Sequence, residues 1–466
     1  MKYAYTVDIE SKKQFFADNY ITETIDYTKV TKTTNPGTKH GSYVMEPDKA
    51  WEGTGTNWPS TYLFGSVIYD TDAGIYKMWY QSYDDPTGKY YVCYATSSDG
   101  ITWTKPNLGI YIFGGNTNNN IVGDTQIPSV VKDTAESDPN KRYKMYGFQG
   151  PGYNICGYYI WYSADGLNWT KPYSTPRLDS AGADVCTMAY DSTNSKYISS
   201  NKYDAPNPDG HGRRIQRNST STDFVTWSTP ELGFQCDEIL DKGSYLRTDI
   251  YGMGLYPTDG VYFSFPWIFH HTQDKTGGGE DGPVNVQLAF SRDFKSWVRP
   301  SRVAVIPNGS AESFDAGSIY TASYPIIVGD KVRLYYGGWT GTHDPITLPT
   351  TGRIGFTEWR KDGFVSLDTG GTEGTVITKT LKFTGSKLYL NVNASGGGSV
   401  KVEILNSDDT VKTGYSKNDC TAITTDNLNI AVRWGESSDI SSLAGQSMKL
   451  KFYMTNAKLY SFTFTN

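Results

Sequence analysis

The sequence predicts an all-β chain, and three observations carry that prediction. A seven-residue motif ending in tryptophan recurs at nearly even spacing, aromatic-rich stretches with apolar residues on alternate positions precede each copy, and no helical periodicity lies between them. Of the 466 residues, 14% are Phe, Trp or Tyr, whose flat rings pack well on a pleated surface. The motif copies are Ser97-Ser98-Asp99-Gly100-Ile101-Thr102-Trp103, Ser163-Ala164-Asp165-Gly166-Leu167-Asn168-Trp169, Ser221-Thr222-Asp223-Phe224-Val225-Thr226-Trp227 and Ser291-Arg292-Asp293-Phe294-Lys295-Ser296-Trp297. The tryptophans are 66, 58 and 70 residues apart, each has proline at +3, and a degenerate fifth copy ends at Phe364.

Each repeat holds the same succession of strands. First strands are read at 65–70, 128–133, 186–191, 252–257 and 323–330, second strands at 75–80, 142–148, 196–201, 261–267 and 331–339. Third strands run into the motif at 90–96, 157–162, 213–218, 284–290 and 353–358, and the motif tryptophans are expected to begin the fourth. Four antiparallel strands repeated five times read as a five-bladed β-propeller. Within the motif, Asp accepts backbone N–H bonds in the turn and Trp is expected to fill the wedge between blades. Residues 13–22 hold a strand expected to close the ring. Past residue 374 the pattern changes to short alternating strands, read as a C-terminal β-sandwich over 375–466, with the propeller, N-terminal segment included, over 1–374.

Charge and composition narrow the partners. Forty-three basic against 49 acidic residues give −6, with no block of like charges, which argues against nucleic acid and anionic membrane and favours a neutral polar partner. The five cysteines, Cys93, Cys156, Cys186, Cys236 and Cys420, are odd in number and without a C-x-x-C pair, so neither a disulfide framework nor a zinc site is expected. No apolar run reaches transmembrane length, and residues 1–19 lack the hydrophobic core of a signal peptide. A soluble chain is expected, secreted or periplasmic if a leader precedes it and cytoplasmic otherwise.

A propeller directs the first strand of every blade toward its axis, so residues at or just before those strands share one pocket. That rule selects Glu52, Asp184, Asp249 and Asp315 as candidate catalytic carboxylates. Glycoside hydrolysis needs two carboxyl groups across the scissile bond, one protonated and one ionised. Glu52, beside Trp51 and ahead of Trp58 and Tyr62, has the apolar setting of an acid, whereas Arg247, two residues before Asp249 on an extended strand, would hold Asp249 ionised. Trp51, Arg247, Trp267, His270, Glu312 and Trp339 are the candidate substrate-binding residues. The histidines, His40, His211, His270, His271 and His343, are read in loops. Adjacent side chains such as His270 and His271 diverge on an extended segment, so no metal site and no cofactor is expected. Gly277-Gly278-Gly279 precedes no helix and is read as a rim loop, not a phosphate loop.

With these residues in place, the chain resembles the five-bladed propeller glycosidases of glycoside hydrolase families 32, 68 and 43, and more closely the bacterial family-32-like proteins. Trp51-Glu52-Gly53 is similar to that family's Trp-Glu-Cys segment, which implies that Glu52 is the acid/base. Arg247-Thr248-Asp249 is similar to its Arg-Asp-Pro segment, which implies that Asp249 stabilises the transition state. No Asn-Asp-Pro-Asn segment is present, and Glu52 precedes Asp249 where the family has the reverse order. The resemblance implies an exo-acting glycosidase releasing a terminal sugar from an oligosaccharide or glycoside. Two other readings stand beside it: a carbohydrate-binding propeller that stacks sugars on Trp51, Trp58, Trp267 and Trp339, and an enzyme that takes an anionic sugar or phosphate through Arg213, Arg214 and Arg217.

Overall fold

The computed structural model of the chain describes residues 6–150, 155–179, 183–205, 213–274, 280–345 and 348–466. These residues are all-β apart from three single turns of 3₁₀ helix, Ala50–Glu52, Pro139–Lys141 and Ser441–Leu443. No helix among them is long and apolar enough to cross a membrane. The five cysteines are free. His211 and Gly277-Gly278-Gly279 lie outside the described residues.

Contacts divide the chain into two compact units, Gly37–Val328 with Val332–Glu358, and the described residues of Met1–Pro36 with Gly329–Lys331 and Trp359–Asn466. This division differs from a boundary at 374/375. Residues 6–36 contribute strands to the C-terminal unit, a long-range pairing that leaves no local trace in the sequence.

The larger unit is built from consecutive antiparallel sheets. The first holds Tyr62–Asp70, Ile75–Asp84, Lys89–Ser97 and Ile121–Gly123, and the second Gln126–Lys132, Tyr143–Gln149 and Gly157–Ser163. The third holds Cys186–Asp191, Lys196–Ala205, Arg213–Ser221 and Glu231–Phe234. In the fourth repeat Arg247–Thr258 pairs with Val261–His271, which pairs in turn with Val284–Val286 and Ala289–Ser291. A parallel contact between Val284 and Ser318 joins this sheet to the fifth repeat, Ser318–Thr321, Lys331–Trp339 and Gly352–Arg360. The strand that completes the fifth repeat is Thr38–Lys39, paired with Thr357 and Glu358. Within 13–22, the strand Gln14–Phe15 pairs with Lys458–Thr465 in the smaller unit instead. His270 and His271 close a strand and are not in a loop.

Successive repeats are clasped by a recurring bond. The Asp at the end of one first strand accepts the hydroxyl of a Tyr on the next repeat's second strand: Tyr143 to Asp70 at 2.5 Å, Tyr197 to Asp133 at 2.5 Å and Tyr262 to Asp191 at 2.6 Å. The fifth repeat meets the first, where Ser323 N–H donates to the Gly65 carbonyl at 2.8 Å and Tyr335 hydroxyl to the Gly100 carbonyl at 2.6 Å.

The motif turns work as their chemistry demands, with one change in the role of tryptophan. Asp99 accepts the N–H of Ile101 and of Thr102, both at 2.7 Å, and the same pair of bonds recurs at Asp165, Asp223 and Asp293. These donors hold the Asp99 carboxyl down to about 2, and at Asp165, where burial pushes the carboxyl up, the donors outweigh it and also bring it to about 2. Of the tryptophans only Trp227 is buried, and Trp103, Trp169 and Trp297 are half-buried. Only Trp297 opens a strand; Trp103 and Trp169 precede single bridges at Thr104 and Thr170. The core position is the residue after Asp, which is left-handed in every copy, with φ of 70° at Gly100, 80° at Gly166, 66° at Phe224 and 65° at Phe294. A Cβ at Gly166 would lie 2.6 Å from the Trp79 ring, and one at Gly100 would lie 2.7 Å from the Tyr335 hydroxyl. Where Phe stands, its own ring fills that space, 5.0 Å from Tyr197 for Phe224 and 5.1 Å from Tyr262 for Phe294.

The smaller unit has two main sheets over a shared core. One runs Asp426–Ala431, Lys387–Asn393, Lys458–Thr465, Val365–Thr369 and Val30–Thr34, and the other Thr22–Ile25, Gly374–Thr378, Lys449–Thr455 and Ser399–Leu405. Phe16, Leu390, Val402, Phe452 and Phe462 are among the residues buried in the core. Trp434 is buried there too, its indole donating to the Val402 carbonyl at 2.9 Å.

Candidate active site

The first strands of several repeats deliver aromatic side chains to one cavity of about 410 Å³. Tyr62 and Phe64 come from the first repeat, Tyr251 from the fourth and Tyr320 from the fifth. Tyr83, Tyr90, Trp58 and Trp339 complete eight rings, with Ser318, Thr342 and His343 between them. Alternation explains the pairs: residues two apart on a strand, such as Tyr62 and Phe64, face the same side. The rings brace one another, Trp339 lying 5.2 Å from Tyr62 and 6.3 Å from Trp58.

Asp184 brings charge to this aromatic wall. It sits just ahead of the strand Cys186–Asp191, pairs with Lys202 of the neighbouring strand, and is 41% exposed. Burial pushes its carboxyl up, but the Lys202 charge and hydrogen bond outweigh burial and hold it below the ordinary carboxylate value. Its negative charge is felt by Tyr62, Tyr90, Tyr251 and Tyr320, four of the lining residues. In Tyr90, burial and then Asp184 drive the hydroxyl up to about 12. Lys202 also lies 4.6 Å above the Tyr251 ring.

Beside the cavity stands a dense ion-pair network. Asp249 is wholly buried and meets His271 Nε2 at 2.9 Å, with Arg247, Arg214 and Arg213 at 3.6, 3.7 and 3.8 Å. Glu280 accepts from both Arg214 and Arg247, and although burial pushes its carboxyl up, the two guanidiniums bring it down to about 2. Asp249, His271 and Glu280 each offer one atom within 4.8 Å of the others, the spacing of a cation site. Three guanidiniums already supply the positive charge there, so the donor set does not suit a metal ion.

The four candidate carboxylates occupy different surroundings. Glu52 has no exposed surface: its oxygens accept from Asp48 N–H, Lys49 N–H, Lys105 Nζ and Tyr80 hydroxyl at 2.9, 3.1, 2.8 and 2.7 Å. Burial leaves its carboxyl raised despite those donors. Asp315 pairs with Lys39 at 2.6 Å, accepts the Tyr336 hydroxyl at 2.9 Å, and lines a separate groove of about 530 Å³ together with Glu312. Of the four, only Asp184 keeps substantial exposed surface and acts electrostatically on the cavity's tyrosines, and Asp249 is buried among the arginines.

The candidate binding residues also divide. Trp339 lines the cavity. Trp267 is 0% exposed, packed against Phe64 with its indole donating to Thr321, and offers no face to a ligand. Trp51 donates to Asn120 at 2.9 Å near Glu52, His270 stacks on Tyr245, and Arg247 belongs to the Glu280 network. The residues that sequence reasoning missed are the tyrosines at 62, 83, 90, 251 and 320, and Glu280. Tyr62, Tyr251 and Tyr320 fall just ahead of the first strands read at 65–70, 252–257 and 323–330, whereas the strands begin at Tyr62, Arg247 and Ser318 and so carry these rings; Glu280 follows a glycine-rich stretch and had no signal.

Compared with known proteins, the chain matches no family model and no curated protein sequence. Its likenesses are to solved structures. An N-acetylgalactosamine deacetylase from F. plautii, in complex with blood group B trisaccharide, is 14% identical over 71% of this chain and 95% of its own, with a TM-score of 0.47. A glycosyl hydrolase from Bacteroides ovatus is 13% identical over 74% of this chain and 97% of its own, TM-score 0.47. A thermostable family-43 glycoside hydrolase is 13% identical over 69% and 92%, TM-score 0.41. Likenesses this distant leave the chemistry to be read from the chain's own residues.

Proposed function

We propose that the larger unit is a five-bladed β-propeller, that the smaller unit is a β-sandwich, and that the chain is a glycoside hydrolase working from the aromatic cavity. The clasps along the first four repeats, the strand contact of the fourth with the fifth and the bonds of the fifth to the first support the ring. The observation that carries the functional reading is the convergence of eight aromatic rings on one cavity, four of whose tyrosines feel the charge of an ionised, partly exposed carboxylate, Asp184. Aromatic faces stack on the C–H faces of sugars, and about 410 Å³ falls within the ~300–1,000 Å³ of small-ligand sites. A bounded cavity of this size favours the terminal sugar of an oligosaccharide or glycoside, and hence exo action.

Asp184, kept ionised by Lys202, has the protonation state of a nucleophile or general base. Glu52 has its oxygens taken by four donors and is read as a structural carboxylate that ties the Ala50–Glu52 turn to Lys105 and Tyr80. Asp249 acts through Arg214 and Arg247, and Asp315 holds Lys39. A second reading, a carbohydrate-binding protein without catalysis, is favoured because none of the described residues lining the cavity is a carboxylate.

One experiment separates the two. Aryl glycosides and oligosaccharides are screened by product chromatography with wild type and Asp184→Asn. A hydrolase turns over at least one substrate and loses it in the variant; a binding protein turns over none and retains sugar affinity in both.

A further inference from the structure

His343 lines the cavity on the loop that follows the strand Lys331–Trp339. Its ring is held between Phe269, at 4.7 Å, and Tyr251, at 5.0 Å. Nδ1 lies 3.0 Å from the Glu280 carbonyl oxygen. A carbonyl only accepts, so Nδ1 carries the proton, and in the neutral ring Nε2 is then a bare acceptor. No described residue bonds Nε2. The groups facing the ring are two cations, Arg214 and Lys202, the Asp344 carboxylate and the Glu280 carbonyl; burial, then the cations, bring its value down to about 4, so it is neutral at pH 7.

The neighbouring cations are meanwhile committed to carboxylates. Lys202 pairs with Asp184, Arg214 and Arg247 with Glu280, and Arg213 with Glu238. A ligand anion would have to break one of these pairs, whereas a ligand hydroxyl meets a lone pair that no described residue occupies.

We propose that His343 is the specificity-determining residue of the cavity, selecting through Nε2 a neutral sugar with a hydroxyl at that point over its deoxy and uronic acid counterparts. The inference rests on the carbohydrate reading of the cavity and deepens it to a substrate class. The test pairs ¹⁵N-histidine NMR of the wild type at pH 7 with calorimetric titration of a binding sugar, its monodeoxy series and its uronic acid. Wild type and His343→Phe are compared, since Phe keeps a ring between Phe269 and Tyr251 but has no lone pair. The expected spectrum has Nδ1 protonated and Nε2 bare. In wild type one deoxy analogue should bind roughly 10- to 100-fold more weakly than the parent, and His343→Phe should weaken the parent alone, erasing that difference. An Nε2-protonated or charged ring, a deoxy preference unchanged in His343→Phe, or a uronic acid bound more tightly than the parent overturns the proposal. If His343→Phe does not fold, the wild-type spectrum and the wild-type rank order of the sugars decide the same question. A bare Nε2 with no sugar bound at all overturns the carbohydrate reading, and the ligand assigned to His343 with it.

Discussion

Glu52 and Asp184 hold comparable places, each near the first strand of its own repeat and each paired with a lysine, yet their surroundings are opposite. Glu52 is sealed, with four donors on two oxygens. Asp184 is 41% exposed, held by Lys202, and its charge is felt by the tyrosines of the cavity. Their carboxyls move in opposite directions, Glu52 up because burial prevails and Asp184 down because Lys202 prevails. The difference teaches that lone pairs left over, rather than burial or position in the repeat, mark the carboxylate available for chemistry.

The largest expected effect is on turnover. Asp184→Asn should lower kcat for the best substrate by ~10² to 10⁴-fold, while Glu52→Gln, once folded, should stay within about twofold of wild type. Steady-state kinetics on both variants checks this, and the reverse ranking would break the comparison. Stability should rank the other way. Glu52→Gln turns an amide NH₂ toward groups that already donate to this position, costing about 3 kcal/mol by urea unfolding, against about 1 kcal/mol for Asp184→Asn.

The pH dependence sharpens the contrast further. A raised carboxyl means the folded state binds the proton more tightly, so Glu52's contribution is present below its unfolded value of 4.5 and is lost as pH rises through the folded one. Asp184, depressed, contributes above 3.8 and loses that contribution as pH falls through its lower folded value. Urea unfolding from pH 3 to pH 7 should therefore show the wild-type advantage over Glu52→Gln growing toward acid, and that over Asp184→Asn growing toward neutral pH. The smallest effect belongs to the cavity wall. Tyr90→Phe should raise KM by roughly two- to tenfold with little change in unfolding midpoint, since it removes one hydroxyl and keeps the ring.

Much of this architecture was legible because it is local. The second strands, Lys331–Trp339 among them, follow from period-2 aromatics, and the motif turns follow from Asp accepting two N–H bonds. Asp184 was found because it directly precedes a first strand. The pairing of Val30–Thr34 with Val365–Thr369 was not legible, since partners more than 300 residues apart leave no pattern in either segment. Nor was the fate of Glu52, whose neighbours Tyr80 and Lys105 are brought in by the fold alone. Trp267 misled for the same reason: an indole on a second strand reads as a platform until Phe64 is found stacked on it.

The left-handed position after each motif Asp works as a lock and key. In the first two repeats it is a slot, Gly100 or Gly166, entered by Tyr335 or Trp79 from another repeat; in the third and fourth it is a plug, Phe224 or Phe294, held at a backbone angle that costs about 1–2 kcal/mol for a residue with Cβ. A slot leaves room for a ring from another repeat, and a plug fills that room with its own. The repeats are therefore not interchangeable parts: exchanging the first with the third would set ring against ring at one junction and leave a hole at another, whereas a circular permutation that keeps every neighbour should be tolerated. Four residues thereby give otherwise similar repeats different junctions.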